Sequence, residues 1–132
     1  MNKENKSLPI YGDGKNIRDW LFVEENCSGI WNIILNGSVG ETYNIGGENE
    51  LTDIKLVNIL CEKMAFRENK PKDYYKKLIT FVKNRPGHDR RYAIDCSKMK
   101  KELNWKQSVT FEEGLEKTIL WYLKNLEWMR KI

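Results

Sequence analysis

The stretch Leu78-Ile79-Thr80-Phe81-Val82, running through Lys83 into Asn84-Arg85-Pro86-Gly87-His88, decides how the fold is read. Five apolar or β-favouring residues ahead of a Pro-Gly pair read as a strand that empties into a tight turn. On its amino-terminal side, Asn69 to Lys77 is polar and basic, the least ordered stretch by composition. Before that, Ile54, Val57, Leu60, Cys61 and Met64 recur at intervals of mostly three and four, the spacing of one buried helical stripe. Thr52 or Asp53 can cap that helix. On the carboxy-terminal side, Tyr92 to Ile94 reads as a further short strand and Ser97 as the cap of a small helix through Leu103. Strands alternating with helices place the chain in the α/β class, with the proportions of an α+β-like small lobe.

Further out, Leu8 to Tyr11 reads as a short extended piece closed by the turn Gly12-Asp13-Gly14. Ile17 to Val23 carries Trp20 and Phe22 and is expected to be extended. A helix follows, with Cys27, Ile30, Trp31 and Ile34 at helical spacing and Asn36-Gly37 as its stop. Thr42 to Ile45 is a compact strand candidate ending in Gly46-Gly47. The last helix opens with the capping box Thr110-Phe111-Glu112-Glu113, and Leu115, Ile119, Tyr122, Leu123, Leu126 and Met129 are its expected buried face. Trp20, Trp31, Trp105 and Trp121 read as core. The strands are few and brief, which points to part of a larger unit.

The 132 residues fit one domain, spanning 1–132. A hydrophobic fraction of 40% supports a core, and 23 basic residues set among 19 acidic ones leave a net charge of only +4. That interspersion argues against a nucleic-acid partner, which calls for a concentrated basic stripe. The local thickening at Lys83 to Arg91 and Lys98 to Lys101 suits a small polyanion instead. Three scattered cysteines and a single histidine offer no metal set, so reduced thiols and no metal are expected. Met1 to Ser7 is polar and no apolar run approaches about 20 residues, so neither a secretory signal nor a membrane span is expected, and a cytoplasmic setting is. Gly12-x-Gly14 and Gly46-Gly47 lack the strand-to-helix context of a dinucleotide cradle. No cofactor is therefore expected on this chain alone. No Tyr-x-x-x-Lys pair and no Ser/His/Asp set is expected either, so no catalytic residue is assigned.

Three segments in register carry a resemblance. Leu8-Pro9-Ile10-Tyr11-Gly12-Asp13-Gly14 with Ile17-Arg18-Asp19-Trp20-Leu21-Phe22-Val23-Glu24 is similar to LPIYGDG…IRDWLYVEDH. Gly40-Glu41-Thr42-Tyr43-Asn44-Ile45-Gly46-Gly47 matches GETYNIGG, and Arg85 to Asp95 matches RPGHDRRYAID, with Leu103-Asn104-Trp105 where LGW follows. From about Leu8 to Trp128 the chain resembles the dTDP-glucose 4,6-dehydratases, extended short-chain dehydrogenase/reductases. The resemblance implies the carboxy-terminal nucleotide-sugar-binding domain, without the Rossmann domain that binds NAD and supplies the catalytic Tyr, Lys, Thr and acid pair.

What the resemblance implies for individual residues is a dTDP-sugar partner. Arg18 and Arg85 would hold the pyrophosphate, as planar forks that give paired, charge-assisted hydrogen bonds. Tyr11 would lay its ring against thymine, with Pro9 and Ile10 lining the same pocket. Asn84, Arg85, Pro86, Gly87 and His88 would form a loop around the phosphates and sugar. Asp53 stands where the family often has Asn near the nucleotide, and Asn84 where it usually has Asp. A Rossmann-domain chain is the further partner implied, and a stand-alone module or a portion of a UDP-, GDP- or CDP-sugar relative are the alternatives.

Overall fold

The computed structural model describes residues 6 to 131. In chain order the elements are β1 (Leu8–Tyr11), β2 (Ile17–Asp19), α1 (Val23–Asn36), β3 (Glu50–Thr52), α2 (Asp53–Arg67), β4 (Ile79–Val82), α3 (Ser97–Leu103), α4 (Phe111–Lys124) and α5 (Leu126–Arg130). A 3-10 turn, Lys76–Leu78, leads into β4. The sheets are two pairs, β1 with β4 and β2 with β3. Within the span expected as one domain, the chain forms two compact units. One comprises Asp19–Glu50 and the segment from Ala93 onward; the other comprises Leu51–Tyr92 and the segment ending at Arg18.

In the second unit, β1 and β4 run parallel, with Leu8 opposite Ile79 and Tyr11 opposite Val82. Alternation along β1 buries Ile10 and leaves Pro9 and Tyr11 exposed on the other face. Thr52 caps α2 by accepting from the Lys55 N–H, and Leu56, Cys61 and Ala65 face the core. The rest of the expected stripe is half-buried. Gly14 sits at φ +68°, and a Cβ there would come within 3.0 Å of Ile10 and Ile54. Only glycine satisfies both the angle and the space. The stretch expected to be least ordered is tied back to α2: Lys76 Nζ donates to Glu62 Oε1 at 2.6 Å, and the Tyr75 hydroxyl to Glu68.

The first unit is built on Cys96, Met99 and Trp105, with Leu21, Ile33, Tyr43, Ile45 and Leu103 packed against them. Here α1 corrects the sequence reading. Its inward side includes Glu25 and Gly29, while Cys27, Ile30, Trp31 and Ile34 are exposed. Tertiary contacts chose the face. The buried Glu25 carboxylate accepts from the Ser108 N–H at 2.9 Å and its hydroxyl at 2.7 Å, which offsets the desolvation of a charge. Gly29 lets Ile45 come within 3.1 Å of where a Cβ would stand. Trp105 is buried and donates to Ser28 Oγ, whereas Trp31 and Trp121 are exposed and Trp20 is half-buried. Ile119 of α4 is buried, and Tyr122 is exposed.

Two expected strands do not form. Thr42 to Ile45 and Tyr92 to Ile94 lie outside the strands, although a single bridge joins Ile17 to Arg91. A strand exists only where a second strand accepts its ladder, and neither segment has one among the described residues. Extended structure in the Ile17 to Val23 stretch stops at Asp19, and α1 starts at Val23. Ser97 is the first residue of α3 rather than its cap: its N–H is taken by Asp95 Oδ1 at 2.9 Å.

Candidate functional site

All ten residues singled out in the sequence lie in the second unit. The centre is the turn from Arg85 to His88, closed by the His88 N–H on the Arg85 carbonyl at 3.3 Å. Pro86 and Gly87 are its middle residues, with Gly87 at φ +66°, the type II arrangement for which this pair is suited. Asn84 organises the turn from its amino-terminal side. Its Oδ1 accepts from the Arg85 N–H at 3.0 Å and lies 2.6 Å from His88 Nδ1. Gly12 packs on the Asn84 side chain so closely that a Cβ would stand 3.1 Å from it.

Tyr11, at the end of β1, gathers this turn around its ring. The Arg85 guanidinium lies 5.2 Å from the Tyr11 centroid, and the His88 ring meets it edge-on at 6.2 Å. Arg18, in β2, lies over the ring of Tyr92 at 4.5 Å. Its Nη1 donates to the Ile17 carbonyl at 2.6 Å and its Nη2 to the Asp89 carbonyl at 3.0 Å. Tyr92 links the two groups. Its hydroxyl donates to Asp89, and that bond raises its pKa; the charges of Arg18 and of Arg85 both act the other way.

The segment that follows, Asp89 to Arg90, is pinned three times to residues 13 to 17. The buried Asn16 amide donates to the Asp89 carbonyl at 2.9 Å. The Ile17 N–H donates to the Arg90 carbonyl at 2.8 Å. Arg90 grips Asp13 through both Nη atoms, at 2.8 and 3.2 Å. Chemically the arrangement offers aromatic faces and two cationic forks, a surface for an anion attached to a flat ring.

The structure thus brings Tyr11, Arg18, Asn84, Arg85, Pro86, Gly87 and His88 together. Pro9 shares the exposed face of β1 with Tyr11. Ile10 points into the core instead. Asp53 opens α2, where a carboxylate is favoured by the helix dipole, and its N–H donates to the Asn16 carbonyl at 3.0 Å. Sequence reasoning missed Tyr92, Asp13 and Asn16; the signal for Tyr92 was an aromatic residue directly after Arg90-Arg91. The expectation of no Tyr-x-x-x-Lys pair also needs correction, since Lys15 stands four residues after Tyr11. The two flank a glycine turn with Gly12 and Gly14 at positive φ, so they do not share one helix face. Among the described residues, no three His, Cys, Asp or Glu side chains gather to hold a metal ion, and no helix is long and apolar enough to cross a membrane.

A family model described as GDP-mannose 4,6 dehydratase matches residues 1–118. The chain belongs to that family. A dTDP-glucose 4,6-dehydratase of Escherichia coli is 48% identical over 129 residues, covering 98% of this chain and 36% of the relative. The crystal structure of the dTDP-glucose 4,6-dehydratase of Bacillus anthracis in complex with NAD matches with 49% identity and a TM-score of 0.80, over 95% of this chain and 37% of that one. The enzyme of Streptomyces venezuelae, solved with NAD and TYD bound, is 36% identical with a TM-score of 0.82, over 95% of this chain and 36% of that one. The chain thus spans little more than a third of the family relatives it matches.

Proposed function

We propose that this chain is the nucleotide-sugar-gripping, carboxy-terminal part of a dTDP-glucose 4,6-dehydratase. The observation that carries this reading is the pairing of each guanidinium with an aromatic face, Arg85 over the exposed ring of Tyr11 and Arg18 over Tyr92. In this reading the thymine base stacks on Tyr11, a contact of about 1–3 kcal/mol. The diphosphate lies across the two guanidiniums, whose planar donors match its oxygens. The Asn84-anchored turn brings His88 and the Gly87 backbone to the phosphates and hexose, with Pro9 beside the base. Asp53 stands at the helix end near the nucleotide, and Ile10 supports β1 from behind.

NAD is held by the relatives, and this chain's residues do not fit it. A Cβ built on Gly12 or Gly14 would stand 3.0 to 3.1 Å from Asn84, Ile10 or Ile54, so both glycines serve local packing and a tight turn. Redox chemistry is accordingly assigned to a separate NAD-binding half, whether a partner chain or a further segment, in the cytoplasm. The chain alone is catalytically incomplete in this reading.

Calorimetric titration with dTDP, dTDP-glucose and UDP tests it. Binding of the two thymidine ligands in preference to UDP, with at least a tenfold loss in Arg85→Gln, is expected. Flat traces at millimolar dTDP would remove the binding role. Formation of the 4-keto-6-deoxy sugar by the pure chain with NAD would remove the claim of incompleteness.

A further inference from the structure

Resting on the dTDP reading above, we propose that Tyr92 is a positioning residue for the Arg18 fork. Arg18 has a long side chain, and an unrestrained one must give up its rotamer freedom when it meets an anion. Here that freedom is already gone. The guanidinium is bonded to the carbonyls of Ile17 and Asp89 and lies 4.5 Å from the Tyr92 centroid. Both carbonyls belong to the Tyr92 framework: the Ile17 carbonyl also accepts the Tyr92 N–H at 3.0 Å, and Asp89 takes the Tyr92 hydroxyl through its carboxylate. One aromatic residue thus sets the ring under the cation and holds the segment that supplies its acceptors. Each Nη nitrogen carries two hydrogens, so one on each remains for a phosphate oxygen.

The ring is the working part. A cation over a π face is oriented as well as attracted, and the hydroxyl serves the Asp89 segment, which Asn16 already holds through the Asp89 carbonyl. Loss of the ring should therefore hurt anion binding through Arg18, and loss of the hydroxyl should hurt it little. A merely structural role for Tyr92 would weaken binding whether or not Arg18 is present.

The test is a double-mutant cycle on the full chain, read as the dissociation constant for dTDP by calorimetry. Tyr92→Phe should stay within about twofold of wild type, and Tyr92→Leu should bind about five- to tenfold more weakly. In an Arg18→Gln background, the further change to leucine should cost less than about twofold. An equal loss in both backgrounds, or no loss in the leucine variant, would overturn the inference while leaving the dTDP reading intact. Should the leucine variant fail to fold, Tyr92→Trp carries the same test. It should keep wild-type affinity, and a fall matching that of Arg18→Gln refutes the platform role. A wild-type chain that ignores millimolar dTDP removes both readings together.

Discussion

The Asp13 carboxylate accepts hydrogen bonds from the Arg90 guanidinium and from the Lys15 N–H, and these hold its pKa down at about 2, against an ordinary 3.8. A carboxyl depressed on folding stabilises the fold above its ordinary pKa and loses that contribution as pH falls through the folded value. Asp13→Asn should therefore lower the urea midpoint at neutral pH. The gap to wild type should narrow below about pH 4 and close near pH 2. A gap independent of pH would show that the pair contributes through shape alone. His88 gives a second prediction of this scale. Asn84 Oδ1 already accepts the Arg85 N–H, so the atom facing His88 Nδ1 is an oxygen, and that ring nitrogen must donate. His88→Phe removes that donor and should loosen the turn, weakening dTDP binding measured by calorimetry about two- to tenfold.

Among the elements, α4 shows how much a local pattern fixes. The Thr110 hydroxyl accepts the Glu113 N–H at 3.3 Å, and the Glu113 carboxylate accepts the Thr110 N–H at 2.9 Å. The capping box is visible in the sequence because all its partners lie within four residues. Thr110→Ala should cost about 1 kcal/mol in denaturant unfolding. Helix α1 shows the opposite case. Its extent can be read from spacing, but its buried face depends on Ser108 and Ile45, which are distant in sequence. Its outer face keeps Ile30, Trp31, Ile34 and Leu35 at 46 to 65% exposure, more apolar surface than a solvent-facing helix ordinarily carries. Trp31→Lys with Ile34→Lys should reduce binding of a hydrophobic dye and shift stability by no more than about 0.5 kcal/mol per site.

For the whole molecule, the mixed α/β character and the clustering around Arg85 were legible because both rest on short motifs. The strand expected at Thr42 to Ile45 was not, since pairing depends on a neighbour that the local pattern does not encode. Even so, Tyr43 and Ile45 turn inward together onto the first unit's core, so the alternation was right where the ladder was not. The same limit explains Tyr92: its partners are Arg18 and Asp89, and only the tertiary fold brings Arg18 over its ring. The two-unit division has one more effect. The backbone passes from one unit to the other after Arg18, after Glu50 and after Tyr92, so neither is encoded by an uninterrupted stretch of gene. A version ended at Tyr92 would keep all ten anion-site candidates, yet it would strip Cys96, Met99 and Trp105 from beneath the looped-out residues 19 to 50. Chymotrypsin should find its first cuts inside that orphaned loop, at Trp20, Phe22, Trp31 or Tyr43, leaving the interleaved remainder to report whether the proposed anion site needs its neighbour at all.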